Sequence, residues 1–82
     1  MPSRLVLYGR PDCHLCDEAR DGLKGLLADG VSFELEEVDI ESDEDLLRRF
    51  LERIPVIEVD GEIVSELFLD TDRLRGKLRA QG

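Results

Sequence analysis

The sequence predicts an α/β domain with the element order β-α-β-α-β-β-α, and three observations carry that expectation. Apolar residues alternate between a spacing near 3.6 and a spacing of 2 along the chain, which separates amphipathic helices from half-buried strands. Two alternating runs flank Asp60-Gly61, the strongest short-range signal for a β-hairpin. Gly9, Pro11, Gly30 and Pro55 fall between the periodic segments, where turn formers belong. The opening strand-helix-strand unit is expected to be a right-handed parallel crossover. A chain of 82 residues has room for one small domain, taken as residues 1–82.

Each element has its own signal. Leu5-Val6-Leu7-Tyr8 is a continuous apolar run, as expected of a strand buried on both faces. After Gly9-Arg10-Pro11-Asp12, the residues Cys16, Ala19, Leu23, Leu26 and Leu27 recur at helical spacing with charged residues between them. That helix is expected to start near Pro11 or Asp12 and to have Gly30 as its C′ residue. Gly22 and Gly25 inside it each cost about 1 kcal/mol relative to Ala; close packing on the sheet would account for them.

Val31, Phe33 and Leu35 alternate with polar residues, giving a second strand over 31–38. Ser42, with Asp45 three positions on, resembles a capping box that opens a second helix. Its apolar face is Leu46, Leu47, Phe50 and Leu51. Acids crowd its first turn and Arg48, Arg49 and Arg53 fall toward its end, both matching the helix dipole. Pro55 is expected to stop it, because the residue before proline avoids the helical region. Strands over 56–59 and 62–64 form the hairpin. Asp70 or Thr71 caps a third helix carrying Leu74 and Leu78.

Eleven basic and twenty acidic side chains give a formal charge of -9, which repels nucleic-acid phosphates and anionic membrane surfaces. Neither is expected as a partner. Eight of the twelve residues 34–45 are carboxylates, read as a solvated edge strand and helix start. Apolar runs stay far below the roughly 20 residues of a membrane span. The N-terminal residues lack the pattern of a signal peptide, so a cytoplasmic location is expected.

Cys13 and Cys16 are the only cysteines. A disulfide between them closes a very short loop and ties no distant parts together, so a structural staple explains them poorly. They lie where the first strand gives way to the first helix. Unpaired amides at a helix N-terminus stabilise a thiolate, the form that attacks disulfides. Asp12, Asp17 and Glu18 oppose that effect, and a net lowering of the Cys13 pKa is expected. Cys16, about one turn on, is placed to attack a mixed disulfide on Cys13. The pattern therefore points to dithiol redox chemistry, with Cys13 as nucleophile and Cys16 as resolving thiol. Two other readings stay open: a metal or iron–sulfur carrier bridging two chains, since one chain offers too few ligands, and a non-catalytic protein-binding module. His14, the only histidine, is either an exposed residue of the motif or an imidazolium that helps hold the thiolate.

Tyr8-Gly9-Arg10-Pro11-Asp12-Cys13-His14-Leu15-Cys16 is similar to the active-site stretch of glutaredoxins. Ile54-Pro55-Val56-Ile57 resembles their cis-proline segment, and Asp60-Gly61 the hairpin after it. On these residues the sequence is identified as a glutaredoxin-like member of the thioredoxin superfamily, similar to small glutaredoxin-like proteins of unassigned function. The resemblance implies a four-stranded mixed sheet of order 2-1-3-4 with helices on both faces. It implies a cis Pro55 facing Cys13, and substrate contacts from Arg10, His14, Leu15, Ile54 and Pro55. It further implies a monomeric thiol–disulfide oxidoreductase acting on a disulfide-containing protein or small molecule. No tightly bound cofactor is expected, and electrons would come from glutathione or a flavin-dependent disulfide reductase.

The sequence departs from that family pattern in three places. Arg53 replaces a threonine, His14-Leu15 replaces Pro-Tyr, and Ser65-Glu66 stands where glutaredoxins carry Gly-Gly. Those glycines let the backbone approach glutathione closely. Glu66 adds bulk and repels its carboxylates, so glutathione is expected to bind weakly, with Arg10 and Arg53 offsetting part of the loss.

Overall fold

The computed structural model describes residues 3–81; Met1, Pro2 and Gly82 of the expected domain lie outside the described residues. The chain runs β1 (Ser3–Gly9), α1 (His14–Ala28), β2 (Phe33–Asp39), a 3-10 turn (Ile40–Ser42), α2 (Glu44–Phe50), β3 (Val56–Val59), β4 (Glu62–Glu66) and α3 (Thr71–Gln81). The sheet order is β2-β1-β3-β4. β1 pairs with β2 in parallel, from Ser3↔Phe33 to Gly9↔Asp39, and with β3 antiparallel, from Leu5↔Val59 to Tyr8↔Val56. β3 and β4 form the hairpin, and the expected mixed topology is the one observed.

Strand alternation divides the buried side chains into two groups. Leu5, Leu7, Ile57 and Val59 meet Ala19, Leu23 and Leu26 of α1 and Leu74 and Leu78 of α3 in the larger cluster. Tyr8 and Val56 belong with Phe50, Ile40, Ile54 and Cys16 in the smaller one, which α2 covers. The remainder of that second face carries charged residues such as Arg4, which pairs with Glu36 at 2.6 Å. β2, at the edge, exposes Glu34, Glu36 and Asp39, so its acids are solvated as expected.

The hairpin turn has positive φ at both Asp60 (49°) and Gly61 (89°), matching the two-residue turn favoured by sheet twist. A register shift between Ile57 and Glu58 leaves Val64 as the extra residue of a bulge, with its side chain buried. Helix α1 closes as Gly30 predicts. Its φ is 89°, its N–H donates to Leu27 O at 3.1 Å, and Val31 N–H donates to Leu26 O at 3.0 Å. That second bond takes Val31 out of the strand, so β2 begins at Phe33 rather than at 31.

One helix start and one helix end differ from expectation. Ser42 is drawn into the 3-10 turn, its hydroxyl donating to Asp39 O at 2.6 Å. The cap of α2 is therefore Asp43, whose Oδ1 accepts the N–H groups of Asp45 (2.8 Å) and Leu46 (3.4 Å). α2 ends at Phe50, whose carbonyl accepts from both Arg53 (2.8 Å) and Ile54 (3.0 Å), so Pro55 lies beyond the helix instead of stopping it. α1 starts next to Asp12, as expected, with Cys13 as its cap. For α3 the cap is Asp70, whose Oδ1 accepts Arg73 N–H at 3.0 Å.

The α1 glycines do not pack on the sheet. A Cβ at Gly22 would come within 2.6 Å of Leu69 Cδ2, so the bare position admits the loop before α3. At Gly25 a Cβ would meet nothing within 4 Å.

Candidate functional site

The site is assembled at the end of β1. Gly9 is the last strand residue, and the turn that follows passes through Asp12 at φ 60° before reaching Cys13. Cys13 has extended backbone (φ -100°, ψ 107°), as an N-cap residue does. Its Sγ accepts the N–H of Cys16 at 3.2 Å, and its carbonyl accepts the N–H of Asp17 at 3.1 Å to begin the helix. The sulfur of Cys13 thus occupies the place of a capping side-chain oxygen, beside the unpaired amides of the first turn.

Cys13 is disulfide-bonded to Cys16, with their Cα atoms 5.2 Å apart. The two sulfurs are unequal in access. Cys16 is 1% exposed and sits in the smaller cluster with Ile40, Phe50, Ile54 and Val56, whereas Cys13 is only partly buried. A thiol buried among apolar groups is inert to solution partners, while a partly exposed one at a helix start is reactive.

The remaining expected site residues divide between the cluster around Cys16 and the solvent-facing surface. The Ile54–Pro55 peptide bond is cis and Pro55 is fully buried. Ile54 and Val56, on either side of it, share a cluster with Cys16, and Cys13 packs against that cluster. The segment is tied to the end of β4, because Leu67 N–H donates to the carbonyls of both Arg53 (2.9 Å) and Pro55 (3.0 Å). Leu15 lies on the first turn of α1 with 47% of its surface exposed. His14 points into solvent, its Nε2 3.4 Å from Glu18 Oε1. Arg10 faces Glu41 at 3.8 Å, both about half exposed. Arg53 is 3.9 Å from Glu66.

Ser65 and Glu66, read as the replaced glycine pair, are ordinary strand residues opposite Ile57 and Val56. The position with left-handed backbone falls one residue later, at Leu67 (φ 71°), a conformation that favours glycine.

Two residues of the stretch similar to the glutaredoxin active site make contacts that the sequence did not signal. A Cβ on Gly9 would lie 3.0 Å from Cys16 Sγ and 3.2 Å from Cys16 Cβ, so the absent side chain lets the buried sulfur rest against the strand. Gly9 reads from sequence only as a turn former, and the contact depends on how α1 returns over β1. Tyr8 stacks on Phe50 with ring centroids 4.9 Å apart and directs its hydroxyl at Glu58, 3.4 Å away. Burial and the nearby Glu58 carboxylate both raise the Tyr8 pKa above its ordinary value of 10.0. Among the described residues no group of three or more His, Cys, Asp or Glu side chains is placed to hold a metal ion.

A β2-β1-β3-β4 sheet, a cysteine pair at the start of its first helix and a cis proline leading into β3 define a redox-type protein of the thioredoxin fold. Known proteins agree. The family model of the glutaredoxin-like domain (DUF836) matches residues 4–79, and the chain belongs to that family. The solution NMR structure of protein Ne2328 from Nitrosomonas europaea is 36% identical, with a TM-score of 0.83 over 95% of this chain and 93% of that one. The X-ray structure of protein XcR50 from X. campestris is 35% identical, with a TM-score of 0.75 over 93% and 96% of the two chains. The crystal structure of the thioredoxin-like protein BC3987 is 25% identical, with a TM-score of 0.62 over 88% and 96%. Among curated proteins, none matches the chain. No helix of the described residues is long and apolar enough to cross a membrane.

Proposed function

We propose that the protein is a thiol–disulfide oxidoreductase that works through both cysteines. One observation carries the proposal: the Cys13 sulfur caps α1 and accepts an N–H of the first turn, while its bonded partner Cys16 is buried. In the reduced protein the Cys13 thiolate attacks one sulfur of a substrate disulfide. A Cys13–substrate mixed disulfide forms, and the other substrate sulfur leaves as a thiolate that takes a proton from water. Cys16, losing its proton, then attacks Cys13 Sγ. The mixed disulfide breaks, the second substrate thiol is released, and the Cys13–Cys16 disulfide remains. Two electrons have passed to the substrate.

The helix start stabilises charge on Cys13 both when it attacks and when it leaves. Burial keeps Cys16 from competing for substrate. Substrate lies over Leu15 and the Ile54–Pro55 segment, with His14 and Arg10 at its edges. The reset requires two electrons from a thiol donor, either two glutathione molecules or a flavin-dependent disulfide reductase. With Glu66 at the end of β4 and its carboxylate near Arg53, glutathione binds weakly and the flavoenzyme is the better donor. The protein acts as a cytoplasmic monomer without a resident cofactor.

Reduction of insulin, followed by turbidity, tests this reading with the two donors supplied separately. Turnover is expected, and faster with thioredoxin reductase than with glutathione. Absence of turnover with either donor would leave the protein a binding module.

A further inference from the structure

On the face of α1 that carries Leu15 lies an apolar groove of about 270 Å³, lined by Leu15, Glu18 and Gly22 of α1 and by Phe68 and Leu69 before α3. Five large apolar side chains are exposed among the described residues, and three of them, Leu15, Leu67 and Phe68, lie in the groove or adjoin it in the chain; Phe68 is 63% exposed. The bare position at Gly22 seats Leu69 against α1 and so forms the floor. Exposed apolar side chains gathered at one groove mark a binding surface more than singly scattered ones do.

We propose that this groove docks a polypeptide disulfide substrate. It takes an apolar side chain next to the substrate's reacting cysteine and a basic side chain against Glu18. This rests on the oxidoreductase reading above. Leu15 lies between the two cysteines and also lines the groove. A chain joined through its sulfur to Cys13 therefore carries its neighbouring residues, about 3.5 Å apart along an extended backbone, over the groove.

Charge selects among occupants. The only ionised side chain lining the groove is Glu18, and Asp72 follows the lining residue Thr71. The whole chain carries -9, so a second copy is repelled, and so is an anionic tripeptide. A basic, apolar segment is attracted.

The test uses the full chain and four synthetic peptide disulfides whose reacting cysteine is followed by Leu-Lys, Leu-Glu, Ser-Lys or Ser-Glu. Hydroxyethyl disulfide, too small to reach the groove, serves as control. Leucine is expected to raise kcat/KM about tenfold over serine, and lysine about fivefold over glutamate. Phe68→Ser should remove the leucine preference, and Glu18→Gln should reduce the lysine preference. Phe68→Ser should keep control turnover within twofold, both variants should keep an unchanged unfolding midpoint, and the lysine preference of Glu18→Gln is read as a ratio to its own control turnover. Wild-type turnover of all substrates without these preferences, or preferences that survive Phe68→Ser, would overturn the docking proposal and leave the oxidoreductase reading intact. No turnover even of the control would overturn both. A wild-type dimer that Phe68→Ser converts to monomer in sedimentation would make the groove a self-association surface instead.

Discussion

The two clusters of buried side chains are built from different parts of the chain. The larger comes mostly from the middles of elements: Leu5 and Leu7 in β1, Leu23 in α1, Ile57 in β3, Leu74 in α3. The smaller comes mostly from ends and connections: Ile40 in the 3-10 turn, Phe50 at the end of α2, Ile54 before β3, Cys16 on the first turn of α1. Mid-element positions repeat, and a repeat excludes water along a whole helix or strand. Ends do not repeat, and there a single atom decides whether a sulfur fits. The larger cluster holds the fold, and the smaller one holds the cysteine pair.

Removing a side chain from the larger cluster should have the greater effect on stability. Leu23 is fully buried, and Leu23→Ala should cost about 2–5 kcal/mol in urea denaturation. The redox equilibrium of the cysteines in molecules still folded should not move. A loss below about 1 kcal/mol would show that the sheet and α1 collapse onto the gap, and the division of labour would fail.

Adding a methyl to the smaller cluster should have the opposite character. Gly9→Ala forces a Cβ against Cys16 Sγ in the disulfide-bonded form. Overpacking of this kind costs about 1–3 kcal/mol. If it falls on the oxidised form, the reduction potential rises by about 20–60 mV. Equilibration with dithiothreitol buffers reads the shift. An unchanged potential would mean that the added methyl costs the oxidised and reduced forms equally.

A smaller effect tests the entry into α2. Asp43→Ala should destabilise by about 1 kcal/mol and Ser42→Ala by clearly less, because Asp43 is the residue that caps. Equal losses in paired melts would return the cap to Ser42.

The smallest effect is a pH dependence beside the site. Because the Tyr8 pKa is raised, both folded and unfolded chains keep its proton below about pH 10. Between that value and the higher folded value the unfolded chain releases it first, so stability falls as pH rises. Tyr8→Phe should remove this part of the decline. Tyr8 is the only tyrosine, so phenolate absorbance reports its titration directly. A midpoint at or below 10 would contradict the environment assigned to it.

The same division explains what could be read from the sequence. The apolar run of β1, alternation in β2, helical spacing in α1 and α3, Asp60-Gly61 and Gly30 all gave elements that the fold contains, because each signal is local. The cysteine pair was legible for the same reason, since a helix start three residues before Cys16 is a local event. Ser42 misled because it and Asp43 are both capping residues, and only the 3-10 turn decides between them. Pro55 was misplaced as a helix stop because the double acceptance at Phe50 O had already ended α2. The left-handed backbone at Leu67 and the Gly9 contact with Cys16 arise from tertiary approach, and no pattern around those residues records it.

The central claim is the unequal roles of the two sulfurs, and mass spectrometry of the single variants after incubation with a peptide disulfide tests it most directly. Cys16→Ser should accumulate a stable adduct on Cys13, because attack proceeds and resolution cannot. Cys13→Ser should stay unmodified on the same timescale, its remaining thiol being buried. An adduct on Cys16 in Cys13→Ser, with none on Cys13 in Cys16→Ser, would reverse the assignment and contradict the account.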